Sequence, residues 1–141
     1  MKLLLVEDDK DLSNALSRIL KYNKYDVETA FDGATALEMI LNEAYSAVIL
    51  DIMLPKIDGI EVLKKVRKEN ISTPIILLTA KNQIDDKILG LETAFTKDFD
   101  FRFEKEFLKS ISPYVKPEKV YFVDGKNSYI SRIMVKEMMG G

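Results

Sequence analysis

Four short runs along the chain are apolar at every position: Leu3 to Val6, Ala47 to Leu50, Ile75 to Leu78, and Val120 to Val123. Unbroken apolar runs of strand length predict strands covered on both faces, as in a parallel sheet sandwiched by helices. Tyr25 to Ala30 alternates apolar with polar residues and predicts an edge strand. The intervening stretches carry helical spacing instead. Leu12, Ala15, Leu16, Ile19 and Leu20 form one i, i+3, i+4 face. Ala34, Leu37, Ile40, Leu41 and Ala44 form another, and Ile60, Leu63 and Val66 a third, after the turn signal Lys56-Ile57-Asp58-Gly59. Further faces are predicted around Ile84, Ile88 and Leu91, around Phe103, Phe107, Leu108 and Ile111, and around Ile130, Ile133, Met134 and Met138.

Strand and helix alternate almost throughout, so the expected fold is α/β, with right-handed crossovers and helices on both faces of a parallel sheet. Five strands fit the flavodoxin-like doubly wound order 2-1-3-4-5. The chain of 141 residues is read as a single domain, residues 1–141. In such sheets ligands gather at the carboxyl ends of the strands, so the residues that follow each apolar run are where chemistry is sought.

Those residues are acidic. Glu7, Asp8 and Asp9 follow the first run, Asp51 follows the second, and Thr79 follows the third. The first and second runs belong to neighbouring strands in the proposed order, so Glu7, Asp8 and Asp51 are expected to converge. Three adjacent carboxylates repel, and one holds a proton unless a cation sits among them. The chain contains no histidine and no cysteine, which leaves hard oxygen donors and points to Mg²⁺. Any one acid after a strand is equally well a turn former or helix cap. The cluster as a whole is not so easily explained. Asp11 is read as a cap or first-turn charge.

Taken together, Leu4-Leu5-Val6-Glu7-Asp8-Asp9, Asp51-Ile52-Met53-Leu54-Pro55 with Asp58-Gly59, and Pro74-Ile75-Ile76-Leu77-Leu78-Thr79-Ala80 resemble the response-regulator receiver family. The flavour is similar to the CheY-like receivers that usually precede a winged-helix DNA-binding domain. The resemblance covers residues 1 to about 92. It implies that Asp51 is the phosphoacceptor and that Glu7 and Asp8 help hold Mg²⁺, with Asp8 the more direct ligand. Asp51 would also ligate, Met53 would offer its backbone carbonyl, and Thr79 would be the switch hydroxyl. The implied partner is a sensor histidine kinase. Phosphoryl transfer asks for positioning and charge neutralisation more than covalent machinery, and a carboxylate can serve as nucleophile.

Residues 93–141 depart from that pattern. Receivers of this kind carry a strand ending in Lys-Pro, whose lysine pairs with the phosphoryl group. Here Thr96-Lys97 is followed by Asp98, and the next credible strand is Val120 to Val123, with Lys126 beyond it. Lys97 and Lys126 are the candidates for that lysine, and each is equally read as a solvated surface lysine. The last βα unit is therefore expected to be atypical, a substituted αβα segment. Val120-Tyr121-Phe122-Val123 with Tyr129-Ile130-Ser131 and Val135-Lys136-Glu137 weakly resembles the end of a phosphopantetheine adenylyltransferase-type nucleotidyltransferase. That resemblance leaves open a chimera, against a naturally divergent receiver.

The near-balance of 21 basic and 23 acidic residues gives no global basic footprint for nucleic acid. The first apolar run is too short for a signal peptide, no stretch reaches membrane-spanning length, and a cytoplasmic protein is expected. No DNA-binding domain is expected within these residues. The family's usual dimer face, built on the fourth and fifth helices and the fifth strand, falls in the altered part and is called into question. The chain is not expected to be an enzyme beyond self-catalysed phosphoryl transfer and autodephosphorylation. The alternative function is a non-signalling flavodoxin-like scaffold.

Overall fold

The computed structural model describes residues 2–78 and the strand Val120–Val123. Its elements, in chain order, are β1 (Lys2–Val6), α1 (Lys10–Tyr22), β2 (Asp26–Ala30), α2 (Gly33–Asn42), β3 (Ala47–Asp51), α3 (Gly59–Lys68), β4 (Ile75–Leu78) and β5 (Val120–Val123). The helices expected around Ile84, Phe103 and Ile130 lie outside the described residues.

The sheet order is β2-β1-β3-β4-β5, as the alternation of strand and helix implied. The first four strands are parallel. Leu4 pairs with Glu28 on one side and Val48 on the other, and Ile49 pairs with Ile76. The fifth strand corrects the expectation of an all-parallel sheet, because β5 runs antiparallel to β4, with Ile75 opposite Val123 and Leu78 opposite Val120. An apolar run reads the same in both directions. Burial therefore fixes where a strand lies but not its sense, and the antiparallel ladder is slightly the more stable per residue.

Side chains alternate across each strand, so the apolar runs of β1, β3 and β4 each feed two cores. Leu4, Val6, Val48, Leu50, Ile75 and Leu77 point to one face, where α2 and α3 bring Ala36, Ile40, Val62, Leu63 and Val66. Leu3, Leu5, Ala47, Ile49, Ile76 and Leu78 are left for the other face, and all are buried. There α1 contributes Leu16 and Leu20, together with the buried serines Ser13 and Ser17. The α1 face is thus rotated from the expected Leu12, Ala15 and Ile19, which are half-buried. Small serines let the helix lie close to the sheet. In α2 the buried side is Gly33, Ala36 and Ile40, whereas Leu41 is exposed and Ala44 falls beyond the helix.

Each of the described helices begins on an aspartate. Asp9 accepts from the Asp11 and Leu12 amides at 3.0 and 3.2 Å, Asp32 from Thr35 at 2.7 Å, and Asp58 from Glu61 at 2.9 Å. Such caps satisfy amide groups that a helix cannot pair internally, each worth about 1 kcal/mol. They fix the point at which each strand-end loop turns back, and so the shape of the carboxyl edge of the sheet. Asp11 is a first-turn acid of α1, as expected.

Candidate functional site

At the carboxyl edge, β1 and β3 lie side by side, with Val6 paired to Leu50. The next residue on each strand is acidic. Oxygens of Glu7, Asp8 and Asp51 come within 4.8 Å of one another, so the expected convergence holds. The three differ in surroundings. Glu7 is only 4% exposed, Asp51 is half-buried and Asp8 faces solvent. The cluster therefore has a dry floor and an open mouth.

The floor is strongly held. The Glu7 amide donates to the Ala30 carbonyl at 3.1 Å, which continues the β1–β2 ladder by one residue. Its carboxylate accepts from the Asp9 amide at 3.0 Å. Asp51 accepts from the Met53 amide at 3.1 Å, and the Ile52 amide donates to the Leu78 carbonyl at 3.0 Å. Met53 itself is 54% exposed.

Burial pushes the Glu7 carboxyl up to about 8, with the Asp9 amide opposing and the Asp51 charge adding to the rise. Asp51 is also raised, first by burial and against the Met53 amide and the Glu7 carboxyl. The two effects are complementary. The Glu7 carboxyl opposes the rise at Asp51, and the Asp51 charge adds to the rise at Glu7.

The loop from Asp51 to Gly59 has two supports. On its inner side, the Gly59 amide donates to the Ile52 carbonyl at 2.9 Å, and α3 starts against β3 so closely that a Cβ on Gly59 would overlap the Asp51 carbonyl. On its outer side is the β2–α2 corner. The Gly33 amide donates to the Pro55 carbonyl at 3.3 Å, Lys56 pairs with Asp32 at 3.7 Å, and a Cβ on Gly33 would overlap the Ile57 carbonyl. The Thr35 amide chiefly, and Lys56 more weakly, hold Asp32 below the usual carboxylate range. The expected turn at Lys56-Ile57-Asp58-Gly59 is present, but the need for glycine at 59 and, across the loop, at 33 comes only from how closely the packed elements meet.

Three expected participants lie outside the described residues: Thr79, Lys97 and Lys126. The last described residue before Thr79, Leu78, pairs with Asp51. The placement of Lys126 rested on β5 ending at the acidic edge. The antiparallel β5 instead ends with Val123 beside Ile75, at the opposite edge of the sheet from Asp51.

A family model for the response regulator receiver domain matches residues 3–103. The chain belongs to the response regulator receiver family. Among curated relatives, the receiver is 48% identical over 104 residues to the transcriptional regulatory protein DltR of Streptococcus agalactiae, an alignment covering 71% of this chain and 46% of the relative. This receiver spans about half or less of the length of the curated relatives it matches. Among solved structures, it is similar to a Francisella response regulator receiver domain at 29% identity and a TM-score of 0.59, covering 99% of this chain and 96% of that one. It is also similar to the response regulator TrrA of Thermotoga maritima, solved in complex with Mg(2+)-BeF, at 32% identity and a TM-score of 0.62, covering 78% and 97%. The family match continues past residue 92, and these findings lend no support to a nucleotidyltransferase-like end or to a chimera. Among the described residues, no helix is long and apolar enough to cross a membrane.

Proposed function

We propose that this receiver takes a phosphoryl group on Asp51 from the phosphohistidine of a sensor histidine kinase, with Mg²⁺ held by Glu7, Asp8 and Asp51. The observation that carries the reading is the meeting of these three carboxylates, with oxygens within 4.8 Å of one another, around a buried Glu7. A donor set of oxygens alone suits a hard divalent ion, and the burial and Asp51 charge that push the Glu7 carboxyl up mark a place where positive charge is needed. Mg²⁺, when bound, neutralises charge between the acceptor carboxylate and the incoming phosphoryl oxygens. The Mg(2+)-BeF complex of TrrA supports that assignment.

The chain's own groups do the rest. The Asp51 carboxylate attacks phosphorus, a P–O bond forms, and the P–N bond to the donor imidazole breaks, with the electron pair leaving on the imidazole. The product is an acyl phosphate on Asp51. The Met53 amide keeps one Asp51 oxygen engaged, so the side chain meets the donor in a fixed orientation. Asp8, at the open mouth, is the more direct metal ligand. Glu7, with one oxygen engaged by the Asp9 amide, serves from the floor. The Met53 carbonyl is assigned as a further ligand and Thr79 as the switch hydroxyl. With β5 ending at the far edge of the sheet, Lys97 is the remaining candidate for the phosphoryl-pairing lysine.

Incubation with Mg²⁺ and acetyl phosphate, followed by intact-mass measurement, tests the reading. One phosphoryl adduct is expected, lost on removing Mg²⁺ and in Asp51→Asn. An adduct that persists in Asp51→Asn overturns the assignment, and Mg²⁺ binding with no adduct favours the scaffold alternative.

A further inference from the structure

We infer that the β2–α2 corner is a positioning device for the phosphoacceptor loop, with Gly33 its principal positioning residue. The inference rests on the proposed role of Asp51. It begins from a backbone outlier. Lys56 has φ 69°, a left-handed conformation that costs a side-chain-bearing residue about 1–3 kcal/mol and persists only where the surroundings enforce it. The Ile57 amide donates to the Pro55 carbonyl at 2.9 Å, so Lys56 is the middle of a tight three-residue turn of an uncommon kind.

What enforces the turn lies on another part of the chain. The Pro55 carbonyl takes a second donor, the Gly33 amide, at 3.3 Å. Asp32 pairs with the Lys56 ammonium at 3.7 Å, and the Asp32 side chain is itself held by the Thr35 amide and hydroxyl at 2.7 and 3.0 Å. The backbone at Gly33 approaches Ile57 so closely that no Cβ fits, the nearest obstacle being the Ile57 carbonyl. Backbone cannot rotate out of the way as the end of a long side chain can, so a methyl group at position 33 pushes the whole 55–57 segment.

That segment connects to the acidic cluster over few bonds. The Leu54 amide donates to the Ile52 carbonyl at 3.1 Å, and the same carbonyl takes the Gly59 amide at 2.9 Å. The loop is thus pinned at Ile52 on one side and at Pro55 on the other. Met53, whose amide orients Asp51, lies between the two pins. Asp32, Gly33 and Lys56 stand outside the cluster of Glu7, Asp8 and Asp51. The corner acts by setting the loop that presents Asp51.

The test uses the full chain and two readouts, calorimetric titration with MgCl₂ and the rate of adduct formation with acetyl phosphate. Gly33→Ala is expected to remain folded, to bind Mg²⁺ about tenfold more weakly, as is typical when an outer support of a metal site is disturbed, and to form adduct correspondingly slowly. Wild-type affinity and rate in folded Gly33→Ala overturn the inference. A second measurement is independent of whether that variant folds. In the unmodified protein, MgCl₂ is expected to shift the amide resonances of Gly33 and Lys56 along with those of Asp51 and Met53. Unmoved resonances at Gly33 and Lys56 overturn it as well. Asp51→Asn serves as the control for the underlying reading. If it binds Mg²⁺ and forms adduct like the unmodified protein, the site assignment fails, and that failure is distinct from a null result at Gly33.

Discussion

Glu7 and Asp51 stand at the ends of adjacent parallel strands with carboxylate oxygens within 4.8 Å, the first buried with its carboxyl pushed up to about 8, the second half-buried. Neither charge is comfortable without a cation. That relationship makes the site measurable even before any phosphoryl group is offered.

The first consequence is a pH dependence of stability. In the unfolded chain Glu7 titrates near 4.5, and in the folded protein near 8. Between these values the folded state holds a proton that the unfolded state has released. The contribution is therefore complete below about pH 4.5 and is lost as pH rises through about 8. Without Mg²⁺, chemical denaturation should show this term declining across that window, and Glu7→Gln should flatten it. In excess Mg²⁺ the trend should reverse, because the ion competes with the proton. A Glu7→Gln profile identical to that of the unmodified protein would contradict the assignment.

Removing the acceptor charge should stabilise the metal-free protein. Asp51→Asn removes a buried charge that adds to the rise at Glu7, and a rise in thermal midpoint of about 3 °C is expected, corresponding to roughly 1 kcal/mol. The same substitution should abolish the adduct. A lower midpoint would show that the cluster is not strained in the way described.

Gly59→Ala should be costly. The added methyl group would meet the Asp51 carbonyl and stand 2.9 Å from the Ile52 Cα, both backbone atoms. A loss of about 1–3 kcal/mol is expected from such overpacking, accompanied by slower phosphorylation because β3 and α3 must separate. Denaturant titration and adduct kinetics measure the two effects.

Tyr45 offers a contrast at the opposite edge of the sheet. Its hydroxyl lies 2.7 Å from Glu28 and 3.1 Å from Glu43, and Lys2 bridges the same two carboxylates at 3.2 and 2.8 Å. The phenol has one proton to share between them, and Tyr45 is otherwise buried. Tyr45→Phe should cost about 1–2 kcal/mol and leave Mg²⁺ affinity unchanged. A weakened metal site in this variant would mean that the two edges are coupled through β1.

Much of this was legible in the amino-acid order. Leu3 to Val6, Ala47 to Leu50 and Ile75 to Leu78 announce covered strands because nothing polar interrupts them, and the acids that follow fall where an α/β sheet places its chemistry. The helix faces were legible only to within part of a turn. Ser13 and Ser17 are buried in place of Leu12 and Ala15, because closeness to the sheet, not hydrophobicity, selected the residues at that contact.

The chain order alone determined the strand sequence across the sheet and the set of carboxylates at its edge, since burial of apolar runs and the crossover rule leave few other arrangements. Only the tertiary structure decided the sense of β5, the burial that pushes the Glu7 carboxyl up and the need for glycine at 33 and 59. Each of these depends on distances between segments far apart along the chain, and periodicity encodes which residues are buried but not how closely their backbones meet.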